Sequence, residues 1–367
     1  MDYEGRLSKL RESVAGAGAD ALLVTNLTNV RYLTGFSGSN GQVLVTSSGA
    51  TFFTDPRYRA RAADLVEGAD VVVYEAALHE ELAARVAEVR RIGIEAGSMT
   101  VAMRDHLASK LEGADLIATK DLVEELRRQK EPEELTLVRE AVRIADEALA
   151  WLLERVGPGR TEREVALEVE VEMRRRGADS VAFEPIVGSG PLSAHIHHSP
   201  SDRVFEPGDL LLIDMGARWQ GYCSDLTRTV SLGAASEHHR DVYDVVLEAQ
   251  TAGIDAVGPG KSGVECDAAA RRVIDEAGYG ETFGHGLGHG VGLDIHESPR
   301  LHKTSEDKLM VADLVTVEPG IYESIEDSAL DGAASGSGGV RIEDCVLVTE
   351  DGSEVLGKSP KDTLMEI

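Results

Sequence analysis

Histidines gather in two short stretches of this 367-residue chain. The second stretch carries glycine at alternate positions from Gly284 to Gly292, and so much glycine is incompatible with a regular helix. His285 and His289 are therefore not a ligand pair on one turn of a helix, as in helical zinc sites. Glycine instead lets the backbone and the imidazoles approach a buried site closely. Seven of the 11 histidines lie in these stretches: His195, His197, His198, His285, His289, His296 and His302.

Four carboxylates flanked by apolar residues form the second pattern. Asp214 follows Leu-Leu-Leu-Ile, and Asp225 comes after a turn at residues 218–221. A charge in a buried strand must be paired or bind a metal, because its desolvation is otherwise too costly. Two strands joined at this turn would set Asp214 and Asp225 on one face of a hairpin. Glu318 and Glu343 lie in similar β-branched runs. Each carboxylate alone fits a structural salt bridge as well, but four with a glycine-framed histidine favour a metal site.

The set of four carboxylates and one imidazole carries too much negative charge for one divalent ion. It suits two ions that share bridging carboxylates about 3.5–4 Å apart. Oxygen ligands with one nitrogen fit Mn, Co or Zn, and they argue against a thiolate-type structural zinc site. Two such cations lower the pKa of a bridging water and polarise a carbonyl oxygen, while nearby histidines transfer protons or hydrogen-bond a developing oxyanion. This chemistry suits hydrolysis of an amide or an ester.

The first third of the chain has the alternating pattern of a layered α/β domain. A glycine-serine loop at residues 35–41 lacks the lysine of a phosphate-binding loop. A charged segment at 121–134 indicates a domain boundary near residue 126, which gives an accessory domain of residues 1–125 and a second domain of residues 126–367. We expect strands at 21–24, 42–45, 51–53, 71–74 and 92–95, and helices at 2–16, 56–66 and 78–90.

The second domain repeats one order of elements, a helix pair followed by strands, and this predicts a duplicated unit. Residues 323–339 are rich in Ser, Ala, Gly and Asp, which predicts an exposed, mobile loop. Thr161 and Glu164 form a capping box at the start of the second helix. We expect helices at 133–155 and 161–176, strands at 183–187, 210–216 and 222–231, helices at 237–257 and 262–277, and strands at 314–322 and 340–349.

Five motifs, taken in order, resemble those of peptidase family M24, which contains prolidases, Xaa-Pro aminopeptidases and methionine aminopeptidases. The segments TNVRYLTGFSGSNG and FFTDPRY resemble the accessory domain of its proline-specific branch, so the resemblance covers nearly the whole chain. It implies an α/β (α+β) fold in which a layered, creatinase/prolidase-type N-terminal domain precedes a duplicated pita-bread catalytic domain. The motifs are LLLIDMGA at Asp214, YCSDLTRT at Asp225, GLGHGVGLDIHE at His289, VTVEPGIY at Glu318 and GVRIEDCVLV at Glu343.

The resemblance implies a role for each matching residue. Two divalent ions are expected, with Mn first and Co or Zn as alternatives. Asp214 would bind the first ion, Asp225 and Glu343 would bridge both, and His289 and Glu318 would hold the second.

Other residues match positions around the reacting bond. His197 matches the family's catalytic histidine, but Ile196 replaces the usual proline before it, so His195 and His198 stay open as alternatives. Arg300 matches an arginine that in some prolidases binds the C-terminal carboxylate of a dipeptide; the alternative is a surface arginine. The other implied roles are substrate hydrogen bonding by His296, proton transfer by Glu318, lining of the site by His285 and orientation of the bridging carboxylates by Arg341.

These roles together predict a dinuclear-metal exopeptidase that cleaves the Xaa-Pro bond at the N-terminus of proline-containing peptides. The glycine-serine loop and Thr-Asp-Pro-Arg-Tyr favour an Xaa-Pro aminopeptidase, and Arg300 allows an Xaa-Pro dipeptidase (prolidase) as the alternative. A metal-free creatinase-like hydrolase or a binding protein on the same fold is the alternative of another class. Such relatives have lost metal ligands, whereas this chain keeps all five.

Charge and composition restrict the environment and the partners. The chain has 65 acidic and 37 basic residues, which give a net charge of −28, and such a chain should repel a phosphate backbone, so nucleic acid is not expected as a partner. The acidic residues are spread along the chain, which favours adaptation to high salt over an ordinary acidic protein. Three cysteines without metal spacing fit a reducing cytoplasm. No apolar run is long enough for a signal peptide or a membrane span, and the resemblance suggests a homodimer.

Overall fold

The computed structural model describes residues 1–87, 89–111, 113–323 and 338–367, which divide into two units, Met1–Arg127 and Arg128–Ile367. A mixed six-stranded sheet organises the first unit. Its strands are β1 (Ala21–Val24), β2 (Gln42–Thr46), β3 (Ala50–Thr54), β4 (Asp70–Val73), β5 (Arg91–Glu95) and β6 (Asp115–Thr119). They lie in the order β4-β3-β2-β1-β5-β6, and β1 pairs in parallel with β5 and antiparallel with β2.

The helices of the first unit differ from the sequence prediction in two respects. The helix expected at 78–90 ends at Arg85, and the one expected at 56–66 begins with a 3₁₀ turn over Pro56–Tyr58. Three helices and β6 were not predicted. One of them is the helix Leu27–Thr34, which Asn26 caps. Its β-branched residues lower its helix propensity, so the sequence pattern did not indicate a helix there. The helices are α1 (Tyr3–Gly16), α2 (Leu27–Thr34), α3 (Arg59–Leu65), α4 (Leu78–Arg85), α5 (Val101–Lys110) and α6 (Glu124–Arg128).

The second unit contains two helix pairs, as the repeated order of elements predicted. The first pair is α7 (Pro132–Leu153) and α8 (Glu162–Arg175), and the second is α9 (Glu237–Ala256) and α10 (Gly263–Glu276). Helix α8 begins with the predicted capping box, in which Thr161 accepts from the Glu164 amide. Each pair covers its own apolar cluster, so the unit has two similar halves.

Strands of the first half, together with β20 (Met365–Glu366) from the end of the chain, form a four-stranded sheet and a smaller three-stranded one. The strands are β7 (Ser180–Val181), β8 (Ile186–Ser189), β9 (Leu210–Met215), β10 (Ala217–Trp219), β11 (Tyr222–Cys223) and β12 (Leu226–Ser231). β9 lies between β8 and β12 and is antiparallel to both. The predicted turn at 218–221 is confirmed, since Gln220 and Gly221 both have positive φ, as a tight two-residue hairpin requires. The strand predicted at 183–187 lies further along the chain, since β8 begins at Ile186 and ends at Ser189.

Strands of the second half form a five-stranded sheet in the order β14-β13-β15-β18-β19 and a separate pair, β16 and β17. The glycine-rich stretch forms strand and turns rather than helix, as predicted. The strands are β13 (Gly288–Gly290), β14 (Glu297–Leu301), β15 (Leu314–Val317), β16 (Gly320–Glu323), β17 (Gly338–Arg341), β18 (Asp344–Thr349) and β19 (Gly352–Val355); β20 (Met365–Glu366) returns to pair with β12.

The loop predicted at 323–339 is shorter at both ends, because Glu323 belongs to β16 and Gly338 and Gly339 to β17. Residues 324–337 lie outside the described residues. Among the helices that the structure does describe, none combines the length and the apolar character needed to cross a membrane.

Candidate functional site

Asp214 lies on the face of β9 that is turned away from the first helix pair. Leu211, Ile213 and Met215 of the same strand pack in the apolar cluster with α7 and α8. Because side chains alternate along a strand, Asp214 points to the opposite side. Its register partner on β12 is Thr227, so Asp225, two residues earlier on the chain, reaches the same side.

The sequence analysis placed the other three carboxylates inside continuous strands, but each of them lies at an interruption between two strands. Asp225 separates β11 from β12, Glu318 separates β15 from β16, and Glu343 separates β17 from β18. Pro319 has no N–H to donate to a ladder, which explains the break after Glu318. At Glu343 the amide instead donates to the Thr227 carbonyl, 3.1 Å away. A break of this kind redirects a side chain, here towards the Asp214 face.

A compact group of ligand atoms results. Oxygen atoms of Asp225 and Glu343 and a ring nitrogen of His289 all lie within 4.8 Å of one another. His289 Nε2 is 3.6 Å from Asp225 Oδ2 and 3.4 Å from Glu318 Oε1. The Nδ1 atom of His289 lies 3.0 Å from the Gly290 carbonyl, so Nδ1 carries the hydrogen and Nε2 presents its lone pair to the carboxylates.

The carboxylates of the group repel one another. Burial raises the pKa of Asp225 well above its ordinary value, and the charges of Asp214 and Glu318 raise it further. Burial and the same neighbours, with Asp225, raise the pKa of Glu343. Burial also raises the pKa of Glu318 to about 7. Four carboxylates so close together are all ionised at neutral pH only when cations lie among them.

Two atoms test whether cations fit here. Asp214 Oδ1 and Asp225 Oδ1 are buried, and within the described residues neither has a hydrogen-bond partner. An ionised oxygen in that position is costly unless a hydrogen-bond donor or a cation satisfies it. Together with the Nε2 lone pair of His289, these oxygens form the kind of oxygen-and-nitrogen donor set that divalent Mn, Co and Zn accept. The residues therefore fit divalent ions.

Arg341 is the buried cation beside the group. Its guanidinium Nη2 is 2.6 Å from Asp214 Oδ2, and its Nε donates to Thr227 Oγ1 at 3.1 Å. Thr227 Oγ1 in turn donates to Glu343 Oε2 at 2.6 Å. Arg341 therefore orients one carboxylate directly and a second through Thr227, which sequence reasoning did not single out.

Tyr322 connects Arg341 to His285. Its hydroxyl accepts from Arg341 Nη1 at 3.0 Å and lies 2.8 Å from His285 Nε2. Burial raises the pKa of Tyr322 to about 12, so the hydroxyl keeps its hydrogen. Burial lowers the pKa of His285 to about 4, and its Nδ1 donates to the Gly286 carbonyl at 2.8 Å, so Nε2 accepts from Tyr322. Sequence reasoning missed Tyr322, because an aromatic residue in a strand is more typical of a core.

A buried ion pair on α10 holds the loop that carries His285. Asp267 is 2.8 Å from Arg271, and Asp267 Oδ1 accepts from the Leu287 amide at 3.0 Å. Arg271 donates to the carbonyls of Phe283 and His285. The backbone on both sides of His285 is therefore fixed to the helix.

One cavity of about 820 Å³ contains all the residues predicted for the site. His197 lines it. His198 also borders the cavity, but its Nε2 is 2.7 Å from Glu162 Oε2, whereas His195 is exposed and does not contribute to the lining. The predicted residues in this cavity are Asp214, Asp225, His289, Glu318, Glu343, His197, His285, His296, Arg300 and Arg341.

His296, directly before β14, and Arg300, within β14, line the cavity beside the ligand group. The rings of His289 and His296 are 4.3 Å apart and nearly perpendicular, at 71°. Arg300 stands opposite His289 in the antiparallel register, and it is exposed at the cavity surface. A cation and a neutral imidazole next to the ligand group could bind the charged end and the carbonyl of a peptide.

Two family models match the chain. Residues 136–350 match the model described as Metallopeptidase family M24, and residues 6–129 match the Creatinase/Prolidase N-terminal domain.

Relatives and solved structures match over nearly the full length. An Xaa-Pro dipeptidase from Pyrococcus horikoshii is 35% identical over 360 residues, which are 98% of each chain. The structure of an Xaa-Pro dipeptidase from Bacillus anthracis superposes with a TM-score of 0.94, at 40% identity and 99% coverage of both chains. That of an X-Pro aminopeptidase from Thermotoga maritima gives 0.87, at 33% identity, covering 96% of this chain and 99% of that one.

Proposed function

Because this chain belongs to metallopeptidase family M24, and is thus a metal-dependent hydrolase, we propose that it cleaves Xaa-Pro dipeptides, as a prolidase does. The observation that carries the proposal is the ligand group of Asp225, His289 and Glu343 in a cavity that also holds Arg300. Similarity to Xaa-Pro dipeptidases over nearly the whole chain supports a dipeptide substrate. This reverses the preference of the sequence analysis, in which the aminopeptidase came first.

We assign five residues to two divalent ions, with Mn first and Co or Zn as alternatives. In this proposal Asp214 would hold one ion, His289 and Glu318 would hold the other, and Asp225 and Glu343 would contribute to both. The unpartnered Oδ1 atoms of Asp214 and Asp225 support it, as does the excess of negative charge. When bound, such ions supply a Lewis acid for the peptide carbonyl and a water molecule of lowered pKa.

The remaining residues bind the dipeptide and handle protons. Arg300 pairs with the C-terminal carboxylate of the substrate, for which a guanidinium offers two parallel donors. Glu318 takes the proton of the attacking water at a carboxylate oxygen. His197 and His296 donate hydrogen bonds to the carbonyl oxygen as it gains negative charge. Arg341 orients Asp214 through the contact between its Nη2 and Asp214 Oδ2, and His285 lines the cavity.

An Xaa-Pro aminopeptidase acting on longer peptides is the second candidate. The likeness to the Thermotoga maritima X-Pro aminopeptidase favours it, and so does the glycine-serine loop at residues 35–41. Arg300 distinguishes the two candidates, because the proline residue of the substrate carries the C-terminal carboxylate only in a dipeptide.

Hydrolysis of Ala-Pro and Ala-Pro-Ala by metal-depleted protein, with Mn, Co or Zn added back, tests the proposal. We expect Ala-Pro to be the better substrate, and Arg300→Met to raise KM for Ala-Pro while leaving that for Ala-Pro-Ala unchanged. Cleavage of the tripeptide alone would establish the aminopeptidase. Failure to cleave either peptide with any of the metals would refute both.

Assembly, boundary and environment complete the proposal. We propose a homodimer in the cytoplasm of a salt-adapted cell, without nucleic acid or membrane as a partner, and an accessory domain that ends near residue 125. The net charge of −28 and three buried, unpaired cysteines support this environment. Sedimentation equilibrium tests the dimer, and separate expression of residues 126–367 tests the boundary.

A further inference from the structure

Glu162 is a buried carboxylate that the proposed reaction does not use. It is the first residue of α8 and is 0% exposed. Its Oε1 accepts from the amide and the hydroxyl of Ser189, at 2.9 and 2.7 Å. Its Oε2 accepts from the amide and the hydroxyl of Ser201, at 2.9 and 2.6 Å, and lies 2.7 Å from His198 Nε2. All these partners belong to one stretch of chain, residues 189–201, which also carries His197.

Glu162 acts in this network as an ionised acceptor. Burial tends to raise its pKa, but the hydrogen bonds from Ser201, His198 and Ser189 outweigh burial and hold the pKa below its ordinary value. The amino-terminal end of α8 further favours a negative charge there. A carboxylate accepts and does not donate, so Nε2 of His198 carries the hydrogen in this contact.

The network fixes the stretch at both ends and at the residue next to His197. Ser189 ends β8, and Ser201 lies beyond the histidines. The His198 side chain is 10% exposed and faces Glu162, whereas its neighbour His197 is exposed to the cavity. Ser193, within the same stretch, accepts from the Gly339 amide at 2.7 Å, which anchors the first half. The backbone of His197 therefore lies between fixed points.

We propose that Glu162 and His198 are positioning residues, which hold the stretch 189–201 so that the imidazole of His197 meets the reacting carbonyl. This inference rests on the proposed function, since that function places His197 at the reaction. It also assigns separate roles to the three histidines that sequence left open: His197 contacts the substrate, His198 holds the backbone, and His195 does neither.

Steady-state kinetics with Ala-Pro tests the proposal. We expect His198→Ala to lower kcat about tenfold to 100-fold, as displacement of a reacting group by about 1 Å does, with KM unchanged. His198→Gln places an amide N–H near the position of Nε2, so it should recover most of the lost kcat. Glu162→Gln should lower kcat at least as much as His198→Ala, because it also disturbs the hydrogen bonds from Ser189 and Ser201. The double variant should lose no more than Glu162→Gln alone, because the contact of His198 is one of those that Glu162 makes.

Asp202→Asn is the matched control. Asp202 directly follows the stretch 189–201 and pairs with Arg163 of the same helix at 2.8 Å, but both side chains are exposed, at 84% and 65%. We expect wild-type kcat and KM from this variant. Thermal melting of each variant shows whether it is folded, and the recovery in His198→Gln would not follow from a general loss of structure.

Three results would overturn the proposal: an unchanged kcat in His198→Ala, a change in KM alone, or no recovery in His198→Gln. A change in KM alone would mean that His198 contacts the substrate. Crystal structures of wild type and His198→Ala supply a readout that needs no activity. If the wild type cleaves neither peptide, the proposed function fails. A displaced His197 in the variant would still support the positioning role of Glu162 and His198, and an unmoved His197 would refute it.

Discussion

Replacement of Arg341 by Met should destabilise the metal-free protein strongly. Arg341 is 2% exposed, and its guanidinium lies 2.6 Å from Asp214 Oδ2. Loss of one partner from a buried ion pair costs about 3–5 kcal/mol, because the other charge stays buried without compensation. In a domain of about this size, 1 kcal/mol changes Tm by about 2–4 °C, so Tm should fall by about 6–20 °C.

Divalent metal should reverse much of this loss. Cations bound among the carboxylates supply the positive charge that Arg341→Met removes, and ligands that bind only the folded state stabilise it by mass action. Urea and thermal unfolding in EDTA and in excess Mn²⁺ therefore measure the stability deficit of the variant, that is, its loss of unfolding free energy relative to wild type, in each condition. The deficit should be smaller in Mn²⁺ than in EDTA.

Arg228→Met is the matched control. Arg228 is also 2% exposed and lies 2.8 Å from Asp344 Oδ1, on the side of β12 and β18 where Lys361 also contacts Asp344. Its deficit should be the same in EDTA and in Mn²⁺. Equal deficits for Arg341→Met in the two conditions, or rescue of both variants, would refute the electrostatic link between Arg341 and the metal ligands.

Three other predictions concern the metal site and the surface. Asp225→Asn should reduce bound Mn, measured by atomic emission, and lower Ala-Pro hydrolysis more than about 100-fold, since loss of groups that merely support ligands already costs up to about that much; undiminished metal content would contradict the assignment. Metal binding to the apoprotein near pH 7 should release protons, because Asp225 and Glu343 have raised pKa values and must be ionised as ligands, so affinity should rise with pH. Calorimetry in buffers of different ionisation enthalpy measures that release, and a value of zero would argue against it. Tm should rise between low salt and about 1 M NaCl, where the Debye length is about 3 Å, and a fall would count against salt adaptation.

The fold class was predictable because its signals are local and repeated. The family matches confirm an N-terminal creatinase/prolidase-type domain followed by an M24 domain, and the helix pairs and the Thr161–Glu164 capping box are where periodicity predicted them. The residues of the candidate site stood out for a different reason. A carboxylate beside Leu-Leu-Leu-Ile or inside Val-Thr-Val conflicts with its surroundings unless it has a special partner.

Two of the three interruptions of the strands were not predictable from residue types alone. Residues typical of strands lie on both sides of Asp225 and Glu343, so the local pattern describes one long strand in each case. At Glu318 the following Pro319 was a signal for the break, which the strand predicted at 314–322 did not take into account. The breaks depend on partners far away in sequence, such as the Thr227 carbonyl that accepts from the Glu343 amide. The role of Glu162 was not predicted either. A glutamate in the first turn of a helix is expected from local preferences alone, so its residue type does not indicate its distant partners.

The length of the substrate was also not predictable from the local sequence. Arg300 and the glycine-serine loop supported different substrates, and nothing in either motif weighs one against the other. The full-length similarity to Xaa-Pro dipeptidases shifted the preference. Arg300 then gains importance, because a dipeptide offers a carboxylate on proline itself, and the exposed guanidinium opposite His289 is a cation of this cavity that can receive it.

The net charge of −28 divides into two parts that respond differently to salt. The site carboxylates are buried, and roughly four positive charges of two divalent ions would offset them. Mobile ions screen such groups little. Most other charges are exposed, as in the pair of Arg143 and Glu140, whose side chains are 43% and 35% exposed, and such pairs contribute little to stability once salt screens them. Salt should therefore act on the stability of the whole molecule much more than on kcat. A titration that changed kcat and left Tm constant would place the salt-sensitive charges in the cavity rather than on the surface.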